Sequence, residues 1–132
     1  MSKTVSIDAL ASEIDSIFEE FTELTNVQVQ DAVMETANDM AKDINARASG
    51  LFGGTGKYAK SWRAKEDIAR KTRLNAAAVV YANKNGYRLA HLLEKGHAKR
   101  GGGRVAGRPH IAPAEDAAKD TLVEKIKMKL GR

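Results

Sequence analysis

The chain has 132 residues, a net charge of +5, and 42% hydrophobic and 30% charged residues, the mixture of one globular domain. It contains no cysteine, which excludes disulfides and thiolate metal sites. No apolar run approaches the roughly 20 residues of a membrane span, and residues 1–16 lack the apolar stretch of a secretory signal. A soluble, unexported protein, cytosolic or enclosed in an assembly, is therefore expected.

Ser6 can cap a first helix, with Asp8 in its first turn favoured by the helix dipole. Ile7, Leu10, Ile14, Ile17, Phe18 and Phe21 follow at three- and four-residue steps, an apolar stripe with Glu and Asp opposite it. Thr25 or Asn26 reads as a break and a new cap. Val29, Val33, Ala37, Met40, Ile44 and Ala48 then define a long second helix that Gly50 can stop. The two could also join into one bent helix. "GLFGGTGKY" (Gly50 to Tyr58) reads as a flexible connector. "KSWRAKEDIA" and "TRLNAAAVVYA" predict two strands, and "NKNG" (Asn83 to Gly86) a turn. "YRLAHLLEKG" predicts a short helix stopped by Gly96. "HAKRGGGRVAGRPHI" has no helical period and reads as a loop or a hairpin with a glycine tip. Pro113 suits the first turn of a last helix, with Ala114, Ala118, Leu122, Ile126 and Leu130 on its buried face.

The order predicts an α+β domain spanning residues 1–132. N-terminal helices and a C-terminal helix pack on a small antiparallel sheet, with a long glycine-rich basic loop or hairpin. Residues 1–49 form an acidic helical part, 50–57 the connector and 58–132 a basic α/β part. Trp62, Tyr81, Tyr87, Leu89, Leu92 and Leu93 are the expected core of the second half. Charge follows the same division. Residues 1–50 hold ten acids and three bases, a net of −7, and the remainder holds seven acids and nineteen bases, a net of +12. Such a split suits a polyanion, or acidic and basic halves meeting head to tail in a ring.

Catalytic and metal chemistry find little support. His91, Glu94 and His97 are spaced H-x-x-E-x-x-H, whereas the zinc-protease helix needs its histidines four apart. No serine sits in a nucleophile elbow. "GGTGKYAKS" fails the phosphate-loop pattern, because Tyr58 follows Lys57, and "GGGRVAG" lacks a strand–turn–helix context. No cofactor and no enzymatic activity are expected. Lys95, Lys99, Arg100, Arg104 and Arg108 lie within fourteen residues with no acid among them. They can hold phosphates, but no aromatic accompanies them to stack on bases.

The second half also carries a string of short motifs: Thr55, Gly56, Tyr58 and Ser61 as "TG-x-[LY]-x-x-S", a strand end at "VVYA", Tyr87, Ala90, Glu94 and Gly96 in "YRLAHLLEKG", and Arg108, Pro109, Pro113 and Ala114 in "RPHIAPAED". In order and spacing, residues 50–130 resemble the tail-component, or tail-completion, family of long-tailed bacteriophages, encoded among head–tail joining genes. His110 stands where that family usually has Phe, Ala112 where Arg or Lys is common, and His97 where Thr follows the glycine. The resemblance implies a non-enzymatic virion protein of the tail or neck, made in the host cytoplasm. It would assemble as a homo-oligomeric ring of six beside tail terminator, tail tube, head-closure or adaptor proteins, with non-specific contact to packaged DNA and none to a membrane. On that basis Lys99, Arg100, Arg104 and Arg108 are expected to touch a partner or DNA. Gly96, Gly101, Gly102, Gly103, Pro109 and Pro113 are expected to shape the loop, and Glu19, Glu20 and Glu23 to be the acidic counterparts. The alternative is a small DNA-binding protein without sequence preference.

Overall fold

A computed structural model describes residues 7–52 and 56–131. The Ser6 cap and the Gly53–Thr55 part of the connector lie outside the described residues, as do the side chains of Ile7 and Asp8.

The two N-terminal segments join into one helix, α1 (Ile7–Leu51), as the alternative reading has it, with no break at Thr25 or Asn26. At 1.5 Å per residue its 45 residues span roughly 68 Å. No glycine or proline occurs between Ile7 and Ser49, and Asn26 does not cap. Its side-chain amide donates instead to the carbonyls of Thr72 and Arg73, at 3.3 and 3.1 Å. With that amide engaged elsewhere, it does not compete with the helical backbone.

A turn of 3₁₀ helix at Ala59–Ser61 leads into β1 (Trp62–Glu66). β1 pairs antiparallel with β2 (Ala78–Ala82), with Trp62 opposite Ala82 and Glu66 opposite Ala78. Both strands are shorter than the expected segments. Asp67 ends the first, its carbonyl accepting from Arg70 and Lys71. The "NKNG" turn is instead the start of α2 (Lys84–Lys95). Asn83 is the N-cap, its side-chain oxygen accepting from the Gly86 amide at 3.1 Å. The glycine-rich stretch is a hairpin, β3 (Gly96–Ala98) with β4 (Arg104–Ala106), and α3 (Ala112–Lys129) follows.

The core centres on Ala41, Ile44, Trp62 and Ala114, with Met40, Tyr58, Ala64, Val80, Ala82, Ala90 and Ile111 packed around them. The expected core is corrected at two positions: Tyr87 is 72% exposed and Leu89 44%. α2 turns its small residues inward, Gly86 against Ser61 and Ala90 into the core, so Tyr87 falls on the other side. Leu92, Leu93 and Tyr81 are half-buried.

The expected seat of the last helix is corrected too. α3 lies chiefly along α1, not on the sheet. Lys125 reaches Glu35 and Asp39, and Lys129 reaches Glu35, while Ala114 sits near the opposite end beside Ile44, so the two helices run antiparallel. The β1–β2 sheet covers a different side of α1. Gln30 docks there as a strand would, donating to the Ala77 carbonyl at 3.1 Å and accepting from its amide at 2.8 Å.

Candidate assembly interface

The hairpin is built on two close approaches. Gly96 ends α2 at φ +82°, in the left-handed region that glycine adopts without strain. A Cβ there would collide with the Val105 carbonyl, and one at Gly107 with the Glu94 carbonyl. At the tip, the Lys99 amide donates to the Gly103 carbonyl at 3.0 Å, and Gly102 and Gly103 take φ of +103° and +78°. Gly101 has open space around it and a φ that any residue can adopt.

The four basic residues expected to touch a partner divide in two. Lys99 and Arg100 are exposed at the tip, with no side-chain hydrogen bond or ion pair among the described residues. Arg104 donates to the Lys95 carbonyl at 3.2 Å, clasping the hairpin to α2, and Arg108 donates to the Leu51 carbonyl at 2.7 Å, closing the end of α1. Pro109 packs beside the last turn of α1 and Pro113 stands in the first turn of α3.

Behind the hairpin lies a buried polar node. The Glu94 carboxylate accepts from the backbone amides of His110 (2.8 Å), Ile111 (2.9 Å) and Ala112 (2.9 Å), and so caps the N-terminus of α3 from the end of α2. Burial opposes its charge, but the three amides and His110 outweigh that and hold the carboxyl below its usual value. His110 is fully buried. Its Nδ1 lies 2.8 Å from the Arg108 carbonyl and 3.1 Å from Glu94 Oε1, both acceptors, so Nδ1 carries a proton, and Nε2 shares a 2.6 Å hydrogen bond with the Tyr58 hydroxyl. Burial, with the Glu94 charge nearby, pushes that hydroxyl's pKa up and keeps it a donor. Phe52 meets the His110 ring edge-on at 5.1 Å between centroids. Sequence reasoning missed His110 as a site residue. Its one signal was a histidine where an aromatic was expected. His91 and His97 are exposed and stand apart from the node.

The acidic residues lie on the first half of α1. Arg73, in the β1–β2 loop, sits 3.6 Å from Glu23 and 4.0 Å from Glu19, and Glu20 is exposed. Together with Asn26 and Gln30, Glu19 and Glu23 form the side of α1 that faces its own domain. About half a turn away, at 100° per residue, runs the apolar stripe. Leu10, Ile14, Ile17, Phe21 and Leu24 are 41–68% exposed, and Phe18 and Val27 beside them 65% and 57%.

A family model described as "Bacteriophage HK97-gp10, putative tail-component" matches residues 12–96. The chain belongs to this family. No curated protein and no solved structure matches it. The HK97-gp10-like match takes in most of α1, which the sequence motifs did not cover, and ends at Gly96, where the hairpin begins. The motifs that carried the resemblance converge in space. Tyr58 and Glu94 hold the node with His110, Ser61 donates to the Tyr58 carbonyl at 2.6 Å, and Gly96 and Arg108 flank the hairpin root. In this member of the HK97-gp10-like family these residues hold the framework together. The stripe and the hairpin tip are exposed.

Proposed function

We propose that this tail-component family member is a structural virion protein that forms a ring, of six copies, at the head-proximal end of the tail or in the neck. The ring completes the tail and joins it to the head, against tail terminator, tail tube, head-closure or adaptor proteins. One observation carries the reading: seven large apolar side chains lie exposed along a helix that runs past its own domain. A patch of that length on a monomer marks a protein contact. Family membership supports the tail, and the chemistry of the node supports a structural role, since the Glu94 oxygens and both His110 nitrogens are already bonded within the fold. Deleting the gene and imaging the lysate tests the reading. Filled heads beside unattached tails are expected, and normally joined particles would refute it.

The hairpin tip favours a second role in the same particle, contact with packaged DNA. Lys99 and Arg100 stand clear of the domain on a tight glycine turn, where they can follow phosphates without reading bases.

A further inference from the structure

We propose that the apolar stripe of α1 docks into a cleft on a second copy of this chain, between the Lys57–Arg63 segment and the first turns of α2. The inference rests on the ring reading and names the contact that would build it. The cleft measures about 570 Å³, within the usual range for a binding pocket. Tyr58 and Leu89 give it an apolar floor, Lys60 and Arg63 stand on its rim, and among the described residues none of those lining it is acidic. Arg63 is held in place there, donating to the carbonyls of Lys60 and Trp62. Leu89, which the pattern of α2 placed in the core, is exposed in this cleft instead.

Three arguments select a second copy and this surface. First, the stripe cannot reach the cleft of its own chain. From Ile17 to Ile44 the helix is continuous, a distance of roughly 40 Å, and the cleft lies beside that later stretch, where Tyr58 packs on the cluster of Ala41 and Ile44. Second, stripes do not suit one another. Glu13 and Glu20 flank the stripe and α1 has no Lys or Arg before Lys42, so pairing two stripes brings these carboxylates together with no base in either helix to meet them. Third, the cleft supplies what the stripe lacks, an apolar floor with a basic rim. Glu20, on the flank of the stripe, is the natural partner for Lys60. Because stripe and cleft are different surfaces, each copy offers one and receives the other, the heterologous kind of contact from which rings are built.

The absence of cysteine makes the test clean. Full-length chains carrying Ile17→Cys and Leu89→Cys are prepared separately, mixed and oxidised. A disulfide-linked pair is expected in the mixture and in neither protein alone. Ile17→Cys linking to itself would overturn the cleft as receptor and leave the ring reading standing. No link, with a monomer mass by light scattering at the highest concentration reached, would overturn the docking. Absence of the protein from purified particles would overturn the virion reading instead. A charge exchange separates specific docking from general stickiness: Lys60→Glu should weaken self-association at least tenfold, and adding Glu20→Lys should restore it. Association indifferent to both would refute the pairing. Phe21→Glu should abolish assembly while leaving the melting temperature unchanged, because Phe21 touches little of its own domain.

Discussion

Glu94 is one side chain doing the work of a helix cap from another element. Removing it leaves the backbone amides of His110, Ile111 and Ala112 without their acceptor, the first two in part-buried hydrogen bonds. Glu94→Ala should therefore destabilise the fold by about 2–4 kcal/mol, measured by urea unfolding. The same residue makes stability depend on pH. Its carboxyl titrates below the ordinary 4.5 in the folded chain. The stabilisation is therefore fully present above that value and is lost as pH falls through the lower, folded one. In Glu94→Gln that part of the acid limb should flatten, and an unchanged acid limb would refute the assignment. The sequence showed Glu94 in two guises, as the centre of an H-x-x-E-x-x-H spacing and as a motif residue. Neither revealed its partners, because a backbone amide has no side-chain signature and these lie 16 to 18 positions further on.

At the scale of elements, periodicity found the helical segments, but Gly50, the expected stop, lies inside α1, which runs on to Leu51. Gly96 stops α2 where expected, and the apolar steps of α1 and α3 hold to their last turns. The errors lie where a side chain had two uses. Asn26 looked like a cap and instead reaches across to the β1–β2 loop. Asn83 looked like a turn residue and is a cap. The hairpin reads equally as loop or strand, because three-residue strands carry too little alternation. Its glycines also looked alike in the sequence, and the structure separates them. Gly96→Ala should cost more than about 2 kcal/mol, since it adds both left-handed strain and a collision. Gly107→Ala should lift the hairpin from α2, and Gly101→Ala should stay within about 0.5 kcal/mol of the parent. Thermal melts, with limited proteolysis at Lys99 and Arg100, order the three.

For the whole molecule, the division of charge is partly settled within the chain. Glu19 and Glu23 meet Arg73, and Glu35 and Asp39 meet Lys125 and Lys129, so acidic and basic halves already touch. These pairs are exposed and each contributes little. The charges left for partners include Glu20 beside the stripe, Lys60 on the rim of the cleft, and Lys99 and Arg100 at the hairpin tip. If the tip holds DNA, duplex binding should fall steeply with salt. Replacing Lys99 and Arg100 with Ala should then reduce the slope of log K against log salt by about 1.8. An unchanged slope would assign the tip to protein.

The uninterrupted α1 has a further consequence. A continuous helix ties both how far its end reaches and which way that end points to residue count. One residue inserted between Val27 and Gln30 would advance the stripe by about 1.5 Å and rotate it by about 100°, away from any receiving surface. Seven would restore nearly the original direction some 10 Å further out. Subunit spacing in such an assembly can therefore change only in whole steps, like a ruler read at fixed marks.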